Sequence, residues 1–256
     1  MIAEFSLQLV CGMSLMWALM PRGEVTAGFF RIQMMVALGL SVLAALTAGR
    51  LTDTETEFAI GTGLAGILCG SVAACAYVGS VLWTLNRRTA GTVCVFVILA
   101  LSTATLVLST STAASLTTNA GFVAAAGRIA TSGTLGASMT GMLLGHWYLT
   151  APTMSTEPLK QMIVYLGAAA VCRLLISTIV LPEAWPALVS SNHTVWIVLR
   201  WVTGIVGPLV VAVMGHRILR YGNTQAATGV LFVAVILTFI GEMTAALLFQ
   251  ELGLPL

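Results

Sequence analysis

The sequence predicts an all-α fold, a polytopic bundle of about eight transmembrane helices forming one integral-membrane domain over residues 1–256. Three observations predict it. Of the 256 residues, 58% are hydrophobic and only 8% are charged. The mean hydropathy is +1.00. Apolar stretches close to the length of a membrane span recur from one end of the chain to the other. A soluble domain carries about 25% charged residues. With so little charge the chain cannot cover a surface in water, so lipid is its solvent. The net charge of +2 is too small and too dispersed for binding nucleic acid.

A span needs about 20 predominantly apolar residues. The first predicted span is 3–20. It reads as a retained helix and not as a signal peptide, because Glu4 stands where a basic region belongs and Met20, Pro21 and Arg22 offer no small-residue cleavage motif. The second is 29–49. The third, 58–85, carries the small-residue pair Gly66 and Gly70. The fourth is 91–112. The Ala- and Thr-rich segment Ala113–Ala126 extends either the fourth helix or the fifth. The fifth, 127–149, carries a second pair, Gly141 and Gly145. The sixth is 161–181. In the seventh, 194–216, Pro208 follows Gly204 and Gly207 and predicts a kink. The eighth is 226–250. The polar connection before it, Arg220–Thr228, offers Asn223 or Thr224 as its cap.

Basic residues orient the spans. The odd connections hold Arg22, Arg31, Arg87, Arg88, Lys160, Arg217 and Arg220. The even ones hold Arg50, Arg128, Asp53, Glu55, Glu57 and Glu183. The positive-inside rule therefore places the odd connections in the cytoplasm and both termini on the outer, periplasmic side of the inner membrane. Trp17, Trp83 and Trp147 then fall near cytoplasmic ends, and Trp185 and Trp196 near outer ends, as an aromatic belt would. Trp17, Trp83, Trp147 and His216 follow one another at intervals of 66, 64 and 69 residues, the spacing of four helical hairpins. The five cysteines, Cys11, Cys69, Cys75, Cys94 and Cys172, lie in apolar stretches without a CxxC pair and read as small packing residues.

Two groups of residues are candidates for chemistry. Ionisable side chains within spans are costly and mark functional positions by default. Arg173, Arg200 and Glu242 lie at a similar depth in the outer half of the sixth, seventh and eighth spans. A Glu between two Arg forms either a polar site for a quinone head group, with a proton-accepting carboxylate, or an ion pair that locks three helices. The second group is His146 and His216, each preceded by a glycine and each closing a span at the cytoplasmic side. Such imidazoles serve as axial ligands of one b-type haem, as hydrogen-bond partners of a quinone, or as interfacial residues. With His193 in an outer loop, at most one bis-His haem can form. No Walker loop, HExxH, GxSxG or metal-spaced carboxylate pair occurs.

Val195–Val213, which carries Trp196 and Arg200 near its start and contains Gly207-Pro208, precedes Leu231–Leu248, which contains Gly241-Glu242. This C-terminal third resembles the last two spans of the quinol-interacting membrane anchors of dimethyl sulfoxide reductase-type and polysulfide reductase-type enzymes. The resemblance covers about 60 residues and rests on short motifs. It implies a mostly eight-span subunit that exchanges electrons between quinol and an iron–sulfur partner subunit. It makes Glu242, Arg173 and Arg200 quinone-site residues, and it implies a fold that generally lacks haem. The expected function is an electron-transfer membrane subunit, a quinone-site part of an oxidoreductase complex. A transporter or permease and a purely structural subunit are the alternatives.

Overall fold

The computed structural model describes residues 2–48, 62–110, 119–151, 154–184 and 191–252. Every regular element among them is helical: α1 (Ile2–Leu19), α2 (Ala27–Ala48), α3 (Thr62–Thr84), α4 (Arg88–Thr110), α5 (Asn119–Tyr148), α6 (Glu157–Ala184), α7 (Ser191–Trp201), a π-helical segment π1 (Val202–Val206), α8 (Gly207–Arg220) and α9 (Thr224–Leu252). Arg50, Asp53, Glu55, Glu57 and Trp185 of the orientation pattern lie outside the described residues, as do the side chains of Glu183 and His193. The backbone at His193 belongs to the first turn of α7 and not to a loop.

Seven segments among the described residues are long and apolar enough to cross a bilayer, with α7, π1 and α8 together forming one of them. This is a multi-pass membrane architecture. The predicted fifth span falls on α5, which has 30 residues and is long enough. Its repeated Gly, Ser, Thr and Ala, together with Arg128, keep it out of the seven.

The chain divides into two compact units, residues 1–132 and 133–256. In the first, α1 packs on α2, α2 on α3, α3 on α4 and α4 back on α1, which closes a four-helix ring. Leu7, Cys11, Ala44, Cys69 and Leu106 meet in its core. The described cysteines are all free thiols, and Cys11, Cys69 and Cys94 are buried. Trp17 and Trp83 are fully buried and do not belong to an interfacial belt. Trp83 stacks on Phe30 with ring centroids 4.4 Å apart. It occupies the space beside Gly91, where a Cβ would lie 2.7 Å from the indole. Arg22 caps α1, donating to the carbonyls of Trp17 at 2.9 Å and Ala18 at 2.6 Å. Glu4 in the first turn of α1 pairs with Arg128 at 3.2 Å.

The second unit comprises the C-terminal part of α5 with α6, α7, π1, α8 and α9. Gly141 lies against Met162 and Leu231, and Gly145 against Thr228, so this small-residue pair seats α5 on α6 and α9. The pair Gly66 and Gly70 in the first unit faces open space and seats no described neighbour. Asn223 caps α9, its Oδ1 accepting from Ala226 N–H at 2.9 Å.

Candidate functional site

The site starts at Pro208. Proline has no N–H and its ring crowds the carbonyl four residues back, so the helix cannot pass it with regular α hydrogen bonds. The chain answers with a π turn in place of a simple kink: Gly207 N–H bonds to the carbonyl of Val202, five residues back. Gly207 suits this turn, because a Cβ there would lie 3.0 Å from the Val202 oxygen and 2.9 Å from Leu237.

The wide turn presents Gly204 to α9. A Cβ on Gly241 would fall 2.5 Å from the Gly204 nitrogen, and a Cβ on Gly204 would fall 3.2 Å from the Gly241 Cα. The two backbones therefore cross in direct contact. One turn before Gly204 stands Arg200, whose guanidinium folds back over that glycine. The residue after Gly241 is Glu242. The crossing thus delivers a cation from α7 to a carboxylate on α9.

Arg173 arrives from α6, which packs on both π1 and α8. Arg200 Nη1 lies 3.0 Å from Glu242 Oε1, and Arg173 Nη2 lies 3.6 Å from Glu242 Oε2. All three residues are at least 95% buried. Arg173 is eleven residues from the end of α6 at Ala184, Arg200 nine from the start of α7 at Ser191, and Glu242 ten from the end of α9 at Leu252. At 1.5 Å per residue these are distances of ~16, ~14 and ~15 Å along the helices, so the three groups stand at a common level.

The electrostatics are asymmetric. Two guanidiniums, which remain charged, meet one carboxylate, so the cluster carries a net positive charge if Glu242 is ionised. The contact of Arg200 with Glu242 is close but is not a linear hydrogen bond, and Arg200 Nε and Nη2 have no hydrogen-bond partner among the described residues. Ser177, one turn beyond Arg173 on α6, is buried with its hydroxyl likewise unpartnered. One turn before Glu242, Thr238 exchanges a 3.1 Å hydrogen bond with Ser138 of α5. The arrangement can pair a carboxylate with two cations, or donate several hydrogen bonds to an acceptor oxygen.

The histidines are arranged differently. His146 and His216 are both exposed. His146 stands edge-on to Phe232, with ring centroids 6.5 Å apart. The room expected beside their preceding glycines is already taken. Thr228 fills it at Gly145, where a Cβ would lie 2.6 Å from the threonine oxygen, and Ile163 fills it at Gly215, at 3.1 Å. Among the described residues no group of three or more His, Cys, Asp or Glu could hold a metal ion.

Three features escaped the sequence reading: the Gly204–Gly241 crossing, Ser177, and the Glu4–Arg128 pair. The pair had a visible signal, since each residue is a lone charge in an apolar stretch. The crossing had none: Gly204 and Gly241 were conspicuous each in its own span, but nothing in the sequence pairs them across two helices. No protein family, no curated protein and no solved structure matches this chain.

Proposed function

We propose that this chain is an eight-span subunit of the inner membrane, with both termini on the outer side, that serves a respiratory electron-transfer complex and interacts with quinone or quinol at Arg173, Arg200 and Glu242. One observation carries the reading: a single carboxylate clasped between two guanidiniums and buried among three apolar helices, with Arg200 nitrogens left to donate. A quinone is a lipid-soluble molecule whose carbonyl oxygens accept hydrogen bonds, and reduction gives those oxygens negative charge or protons. Arginine donors stabilise the first, and Glu242 exchanges the second. The π turn beside Arg200 adds support, since such turns recur at functional positions. The soluble redox centre belongs, on this reading, to an iron–sulfur partner chain. A haem on His146 and His216 has less support, because the spaces beside Gly145 and Gly215 are filled.

Organic extraction of the purified protein tests the proposal. Quinone is expected in the extract at close to one per chain. Its absence, with no quinone bound on titration, ends the reading. An absorption spectrum decides the haem: a Soret band that disappears in His146→Ala would establish it.

A broken helix beside a buried charge also favours a second reading, a transporter. Solute flux into liposomes that stops in Glu242→Gln would favour this alternative over the first.

A further inference from the structure

In the first unit, α2 and α3 run side by side and leave a groove of about 390 Å³ on their outer face. Its walls are apolar: Ile32 and Met35 from α2, Val81 from α3 and Leu85 just after it. Ser80 and Thr84 also line it, but their hydroxyls donate to the carbonyls of Tyr77 at 2.9 Å and Ser80 at 2.8 Å, so they offer no free donor. Among the described residues the one charged lining residue is Arg31, which is exposed. It is the fifth residue of α2, and Thr84 is the last of α3, so the groove opens at the ends of both helices, where a bilayer meets water. Arg87 follows in the next turn, which Asn86 makes with φ 55°, and Arg88 opens α4. Among the described residues no acidic residue lines the groove and no ion pair to Arg31 occurs.

An apolar trough with one unpaired guanidinium at its interfacial end matches one kind of molecule. We propose that it binds an anionic phospholipid, with Arg31 on the phosphate and one acyl chain along Ile32, Met35, Val81 and Leu85. Arginine pairs with phosphate through two parallel N–H donors. Its aliphatic stem lies on apolar surface while its head reaches the interface. A free phosphate shares the charge but would leave the trough empty, and a zwitterionic lipid fills the trough but brings its own cation to Arg31. The proposal is independent of the Arg173–Glu242–Arg200 cluster.

Native mass spectrometry of the full chain, released from micelles containing phosphatidylglycerol or phosphatidylcholine, tests it. The wild type should retain phosphatidylglycerol about fivefold better, the effect of one basic residue at a membrane surface. Arg31→Gln should remove that preference. Val81→Trp, which fills the trough without touching the charge, should lower retention of phosphatidylglycerol. Arg87→Gln, at the same end but outside the groove, should change neither. Retention in Arg31→Gln at the wild-type level would overturn the proposal. So would an equal loss in Arg87→Gln, which would mean diffuse surface charge, or displacement of the lipid by inorganic phosphate, which would mean a headgroup-sized anion site.

Discussion

Gly204 and Gly241 meet backbone to backbone, and that contact sets the distance at which Arg200 reaches Glu242. A helix surface with side chains at both positions would hold π1 and α9 apart, and the ion contact would open. The ionic cluster is therefore a consequence of two missing Cβ atoms as much as of three charged residues.

Gly241→Ala should destabilise the second unit, because the added methyl meets backbone on π1 that cannot turn aside. Overpacking of this kind costs about 1–3 kcal/mol. Thermal unfolding in detergent should show the loss. Gly229→Ala, on the same helix with open space around it, should be close to neutral.

Glu242→Gln should be more damaging, since it leaves two buried guanidiniums without their anion. Removing one partner of a buried ion group costs about 3–5 kcal/mol. Replacing all three residues together, as Arg173→Met, Arg200→Met and Glu242→Leu, should recover most of that stability, because an apolar set of similar size needs no compensation. Unfolding midpoints of the two variants, measured side by side, check the order. A triple variant less stable than Glu242→Gln would show that the charges hold the helices together better than packing can.

His146→Ala should change stability little, by about 0.5 kcal/mol or less, as exposed substitutions do. Its ring has one edge contact with Phe232. Quinone content should also stay at the wild-type level, which extraction of the variant measures.

The membrane class was legible because it depends on composition and on runs of apolar residues, and these are local properties. Seven apolar spans follow from them directly, and so does the break in the seventh, which Pro208 announces. The break's form was not legible. Whether a chain kinks or widens into a π turn at proline depends on what packs against it, and here that is α9 through Gly241. Arg173, Arg200 and Glu242 could be named from sequence because an ionisable residue in an apolar run is conspicuous. Their distances could not, since three helices must first be packed. Trp17 and Trp83 misled for a related reason. Tryptophan near a span end suits an interface, but the small side of α4 at Gly91 and the face of Phe30 offered Trp83 a better place inside.

Titration of the purified protein with a water-soluble quinone analogue, followed by quenching of tryptophan fluorescence, tests the central claim most directly when it is run on the wild type and on the folded triple variant Arg173→Met, Arg200→Met, Glu242→Leu. Saturable quenching at one analogue per wild-type chain, lost in the triple variant with its helix content intact, is the predicted result. Equal binding by both proteins, or none by the wild type, would contradict it.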